Sequence, residues 1–283
     1  MAVALAAVYV LWGSTSPAMK IAVSSVPPFW MAAIRFGCAG SVLWTWCRLR
    51  GLAMPTAREW GGAAVTGIVL LVLSNAVYAS TLQYLPSGIG ALVFALAPLW
   101  MALFAFAMFG EKLSRLAMGG LALGLAGMVF LYSPAGGQQL PAWPTAIALL
   151  TSLVWGFGSI LQRRFRDGNV VQTSTMQMLA ASATLIVLAL ASREHVAAAD
   201  FTPSALGAIA YLVVFGSIVG FSAYLWLMNN VPTTLASTYA YVNPMVSLII
   251  GIGLLHEPFS PRLAIGAAVI LTGVALMILA PKR

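Results

Sequence analysis

Acidic residues are nearly missing from this 283-residue chain, which has six Asp and Glu against fourteen Lys and Arg and only 7% charged residues in all. A soluble globular domain carries about a quarter charged residues, so that class is excluded. Histidine and cysteine are scarce too, at two each, and neither falls at metal-ligand spacing. No metal site follows, and Cys38 and Cys47, within one apolar run, read as packing residues and not as a disulfide. There is no Gly-x-Ser-x-Gly element and no carboxylate dyad, so nothing points to an enzyme or to a cofactor. Apolar and polar residues do not alternate as in membrane-barrel strands.

What the chain has is apolar length. Ten runs stand out, at about 2–23, 28–49, 61–83, 88–109, 115–133, 143–162, 171–191, 204–228, 235–255 and 262–280. Roughly 20 residues of helix cross about 30 Å of hydrocarbon. The expected fold is therefore an all-α integral membrane protein of ten transmembrane helices, with lipid as its surroundings. The first run is too long for the core of a cleavable signal peptide and has no basic stretch ahead of it.

The net charge of +8 does not suggest nucleic acid, because the basic residues are scattered at the ends of the runs. They read as orientation signals. With the N-terminus inside, Arg48, Arg50, Arg58, Lys112, Arg115, Arg163, Arg164, Arg166, Lys282 and Arg283 fall on the inner side. Lys20, Arg193 and Arg262 fall outside, and Arg35 lies within a run. Both termini are expected in the cytoplasm of a multi-pass membrane protein.

The second half repeats the first. At an offset of 146 positions, 85–131 lies on 231–277 without a gap. Pro86 meets Pro232, Pro98 meets Pro244, Glu111 meets Glu257, Ser114 meets Ser260, Gly120 meets Gly266 and Gly127 meets Gly273. Five runs per half, an odd number, force the halves into the membrane in opposite senses. The domains read as 1–134 and 142–283, two inverted five-helix repeats joined by an external linker at 135–141. Inverted repeats let a transporter present one central site to either side in turn.

Several local patterns now carry a resemblance. Trp12-Gly13-Ser14 and Trp155-Gly156-Phe157-Gly158-Ser159 stand near the start of each half, and 29–36 reads FWMAAIRF. Each half closes with a helix ending in an acid, a short turn and a glycine-rich helix: Gly110-Glu111-Lys112-Leu113-Ser114 before Gly119, Gly120, Gly124 and Gly127, and His256-Glu257-Pro258-Phe259-Ser260 before Gly266 and Gly273. Together these resemble the drug/metabolite transporter superfamily, in particular its ten-span members with two EamA-type repeats. The resemblance implies an exporter of small metabolites, with aromatic and other neutral amino acids among the solutes of similar bacterial members. A broad drug or metabolite exporter of the same superfamily is the alternative, and two linked repeats allow a working monomer. One departure stands out: the position matching Arg35 is Met178.

In-membrane polar and aromatic residues should mark the pathway. Trp12 and Ser16 share a helix face, followed by Pro17, which frees a carbonyl and bends the helix. The second half repeats this with Trp155, Ser159 and Gln162. Asn75 and Tyr78 share a face, as do Ser217, Phe221, Tyr224 and Met228. Tyr239 and Asn243 lie one turn apart before Pro244, and Phe94 and Trp100 flank Pro98. The expected substrate-binding set is Trp12, Ser16, Asn75, Tyr78, Phe94, Trp100, Trp155, Ser159, Gln162, Tyr224, Tyr239 and Asn243. No Asp or Glu falls mid-span. The small multidrug members of the superfamily depend on such a Glu, and its sugar-phosphate members need buried cations, for which Arg35 and Lys20 are the candidates here. A neutral or zwitterionic solute with apolar or aromatic bulk fits best. Arg35 itself is expected to pair with backbone carbonyls or lipid headgroups, with binding of a carboxylate as the functional alternative. Glu111 and Glu257 oppose the dipoles of the helices they end, so each needs a partner and reads as a structural or gating element.

Overall fold

The computed structural model describes residues 1–111, 114–132, 141–165, 169–230 and 239–279. The 135–140 part of the expected linker, Lys112, Arg166, Lys282, Arg283 and the Met228 side chain lie outside the described residues. Among the described residues, helical segments gather into ten rods, which we number α1 (Ala2–Val23), α2 (Pro28–Leu49), α3 (Ala57–Thr81), α4 (Ser87–Phe109), α5 (Arg115–Tyr132), α6 (Ala142–Phe165), α7 (Val170–Ala191), α8 (203–230), α9 (Tyr239–Leu255) and α10 (Pro261–Ile278). Among the described residues, α1, α3, α4, α6, α7 and the first 22 residues of α8 are long and apolar enough to cross a membrane. α5, α9 and α10 contribute shorter apolar stretches.

Local chemistry sets the helix ends. Thr56 and Glu59 form a reciprocal capping box at the start of α3, and the Asn169 and Thr202 side chains cap α7 and α8. α2 begins on Pro28, and its first free amides are served from another segment: the Glu194 carboxylate accepts from the Phe29 and Trp30 amides at 3.1 and 3.3 Å. Burial pushes the Glu194 carboxyl above its ordinary range, and these two amides act against that shift.

The outer surface is apolar, with Val129, Val187, Leu190, Ile249 and Leu254 all exposed, while Ser74, Thr151, Ser152, Thr175 and Gln177 are buried. That inversion suits lipid, where polar groups must find partners inside the bundle. α2 packs on α7, α5 on α10 and α4 on α9. The seams are held close by small residues, as expected where dispersion and shape drive helix association in lipid. A Cβ on Gly13 would lie 2.6 Å from the Val246 Cβ of α9, and one on Gly156 would lie 2.5 Å from the Trp100 Cβ of α4. Across the α5–α10 seam, Gly273 faces the Gly120 carbonyl and the Gly124 backbone.

Among the described residues, three rods contain π-helical stretches: Val8–Trp12 in α1, Ile68–Ala76 in α3 and Leu212–Val219 in α8. Such wider turns slip the faces of a helix relative to α geometry and recur at functional sites. All three border the cavity described next. In α1 the ordinary helix resumes at Thr15, ahead of Pro17.

Candidate binding cavity

Eight of the ten rods converge on one cavity of about 920 Å³, counting its open mouth; α5 and α10 stay outside it. α1 contributes Trp12, Gly13, Thr15, Ser16 and Met19, α2 contributes Arg35 and Phe36, and α3 contributes Leu71, Asn75 and Tyr78. From α4 come Phe94 and Pro98 with three alanines, while α6 and α7 supply Trp155 and Met178. α8 supplies Gly216, Ser217 and Phe221, and α9 closes the wall with Tyr239, Ala240, Asn243 and Pro244.

The aromatic wall has two parts. Trp12 lies 4.8 Å from Tyr224 and meets the edge of Tyr239 at 5.4 Å, with Phe221 alongside at 6.2 Å. Phe94 sits between Tyr78 at 5.0 Å and Trp155 at 5.5 Å. Offset and edge-on rings at such separations attract beyond their area of contact. Tyr239 also meets the Tyr224 ring edge-on at 5.7 Å.

The polar tips of these rings are tied back to the scaffold. Trp12 Nε1 donates to the Gly216 carbonyl at 3.1 Å, within the π stretch of α8. Ser16 and the Tyr78 hydroxyl bond at 2.8 Å, and Ser14 bonds the Tyr211 hydroxyl at 2.6 Å. Oriented by its hydrogen bonds, the Asn243 amide donates to the Tyr9 and Tyr239 carbonyls, each at 3.2 Å.

Eight of the twelve residues expected from sequence line the cavity: Trp12, Ser16, Asn75, Tyr78, Phe94, Trp155, Tyr239 and Asn243. Four do not. Trp100 turns away, donating from Nε1 to Ser152 Oγ at 3.0 Å while its Cβ packs on Gly156. Ser159 bonds back to the Trp155 carbonyl at 2.8 Å, the usual fate of a hydroxyl within a helix. Gln162 lies past the cavity, in the 3₁₀ turn that ends α6. Tyr224 stands behind Trp12, packed on its ring.

Arg35 requires a larger correction. Its side chain does not extend to the surface of the bundle: the residue is only 6% exposed and lines the cavity. Nε donates to Ser217 Oγ at 3.0 Å, one terminal nitrogen approaches Asn75 Oδ1 at 3.5 Å, and the group lies 5.1 Å from the Phe36 ring centre. The sequence does hold a signal for this. Gly37 and Gly40 press against Ser182 and Leu179 of α7, and Ser182 Oγ donates to the Ala33 carbonyl. Small residues at 33, 37 and 40 mark the packing face, which leaves Arg35 on the other side of α2.

The two terminal acids differ from each other. Glu257 reaches across to α4 and accepts from the Ser87 and Gly88 amides at 2.6 and 3.2 Å. A carboxylate there complements the positive end of a helix dipole. Beside it, Lys20 Nζ donates to the Leu82 and Leu85 carbonyls, at 2.9 and 2.8 Å, just past the end of α3. Lys20 is thus committed to backbone and does not line the cavity. Glu111 instead pairs with Arg163 at 2.6 Å, where both side chains are substantially exposed.

Comparison with known proteins agrees with this architecture. Residues 1–133 and 142–279 match the EamA-like transporter family. The chain is 38% identical to the inner membrane transporter YedA of Escherichia coli over 279 residues, covering 98% of this chain and 90% of that protein. It is 26% identical to a chloroplastic WAT1-related protein of Arabidopsis thaliana, covering 95% of this chain and 67% of that one. A crystal structure with 25% sequence identity superposes with a TM-score of 0.70, covering 97% of this chain and 94% of the other. A helical bundle in two matched parts around an aromatic cavity, with these relatives along nearly its whole length, belongs to the EamA-like transporter family.

Proposed function

We propose that the chain is an inner-membrane exporter of small neutral or zwitterionic metabolites, aromatic and other neutral amino acids among them. It works by alternating access between two inverted halves of five spans each, with both termini in the cytoplasm. The observation that carries the reading is the cavity wall: the two halves contribute to it at matched positions, and its lining is mainly aromatic and apolar. The packing of α2 on α7, α4 on α9 and α5 on α10, each helix with its counterpart, supports a two-fold arrangement. YedA, named as an inner membrane transporter, supports the location.

Membrane-embedded acids are the usual proton carriers of transporters. Here Glu59, Glu111, Glu194, Asp200 and Glu257 lie outside the cavity wall, which favours gradient-driven efflux over proton antiport. The test is counterflow in liposomes of purified protein preloaded with aromatic, small neutral and charged amino acids, cationic dyes and sugar phosphates. Exchange of neutral or aromatic amino acids supports the reading. Exchange of dyes without amino acids makes the protein a broad drug exporter. Topology is tested separately: Arg58→Cys and Gln138→Cys, in a background lacking Cys38 and Cys47, should label from opposite faces of the membrane.

A further inference from the structure

A guanidinium within a membrane span is costly unless it snorkels outward or meets an opposite charge. Arg35 does neither. It lies seven residues inside α2, about 10 Å along the helix axis from Pro28 at 1.5 Å per residue. Its side chain is buried and borders the cavity. A serine hydroxyl and one long amide contact serve only part of its five N–H donors, and the Phe36 ring face at 5.1 Å attracts the cation without supplying a counter-charge. Gly216 leaves room for one terminal nitrogen, which would lie 3.2 Å from a Cβ built there.

The described acids are engaged elsewhere. Glu59 closes its capping box on Thr56, Glu111 pairs with Arg163, and Glu194 holds the start of α2. Asp200 accepts from the Ala197 amide, and Glu257 clasps α4. Asp167, the sixth acid, lies outside the described residues. Among the described residues the cavity therefore holds one positive charge and no negative one. A planar guanidinium fork at the edge of an aromatic chamber matches a carboxylate on an apolar body. A phosphate dianion would overcompensate the single charge.

We propose that Arg35 binds the carboxylate of the transported solute, and that the solute class is monocarboxylates with a flat apolar body, with or without an α-amino group. The inference rests on the exporter reading and deepens it. The described wall offers no acid to an ammonium, only ring faces and amide or hydroxyl dipoles. The carboxylate is therefore the required group and the amine is dispensable. The body lies among Phe94, Trp155, Phe221 and Tyr239.

The test uses purified full-length protein and three matched probes: 3-phenylpropionate, phenylalanine and phenylalaninamide. Binding is read by quenching of tryptophan fluorescence and by thermal shift. The wild type should bind both acids and bind the amide about tenfold or more weakly, and Arg35→Gln should abolish that preference. Arg35→Lys keeps the charge but loses the fork, so it should retain the preference at reduced affinity. Should Arg35→Gln not fold, the wild type and Arg35→Lys decide. A wild type that binds neither acid, or binds the amide as well as the acids, overturns the proposal, as does an Arg35→Gln protein that still prefers acids. Counterflow of the same probes separates the two claims. Exchange of the amide without the acids keeps the exporter and removes Arg35 as the anchor. Acid binding without exchange of any probe keeps the Arg35 site and removes the exporter.

Discussion

Gly13 and Gly156 occupy matched positions in the two halves, and each is pressed against a helix of the opposite half, α9 for one and α4 for the other. Arg35 and Met178 are matched as well, and both border the cavity, yet one brings a charge and the other a soft apolar tip. The same contrast runs along the wall: Leu71 corresponds to Ser217, Asn75 to Phe221, and Ala97 to Asn243. Helix seams tolerate almost no change of volume, because axis spacing decides whether the bundle closes. A cavity wall has free space in front of it. Glycines kept at the seams and side chains diverged at the wall place dissimilar groups between similar helix contacts.

The most damaging way to break this contrast is at the seams. Gly13→Leu and Gly156→Leu should each cost well over about 3 kcal/mol and abolish recovery of monodisperse protein, because backbone as well as side chains would have to move. Leucine at Gly119 or Gly253, which face open space, should leave yield intact. Next in size is the pair Trp155 and Trp100. Trp155→Ala should slow exchange about tenfold with a modest change in melting temperature. Trp100→Ala should lower stability by about 2 kcal/mol or more while exchange per folded molecule persists. If both variants lose only stability, Trp155 belongs to the seam.

The two acids sharpen the comparison further. Glu257→Ala strips the acceptor from two amides of α4 and should cost about 1–3 kcal/mol. Glu111→Ala removes a largely exposed pair, and its effect should stay within about 0.5 kcal/mol and fade with salt. Thermal melts at low and high ionic strength distinguish the two. Effects between these two belong to the turns ahead of the acids. Gly110 has φ 69° and its counterpart His256 has φ 54°. Gly110→Ala should destabilise and His256→Gly stabilise, each by about 1 kcal/mol, since only glycine adopts this region freely.

Helix positions were legible because apolar runs of about 20 residues leave few alternatives: each described rod starts and ends within a few residues of its expected run, the start of α9 excepted, since 231–238 are not described. The wall was legible where two residues lie one turn apart, as for Trp12 with Ser16 and Tyr239 with Asn243. Trp100 was misplaced although its position, six residues from Phe94, already set it on a different face. Tyr224 was misread for a deeper reason. The π stretch Leu212–Val219 slips the face of α8, so residues seven apart no longer align. The inward turn of Arg35 depended on the rotation of α2, which its packing on α7 decides.

The uncompensated guanidinium also turns the cavity into an electrical element. Empty, the chamber carries one positive charge; filled by a monocarboxylate that lacks the amine it carries none, whereas a zwitterion leaves the charge in place. While export of a zwitterion would move no charge, export of such an amine-free anion would move one negative charge outward and return the carrier positive. A membrane potential negative inside favours that step by about 2.3 kcal/mol per 100 mV, roughly a fiftyfold outward concentration ratio. Voltage alone would drive such a cycle, with the single arginine converting the field across the membrane into a direction of transport.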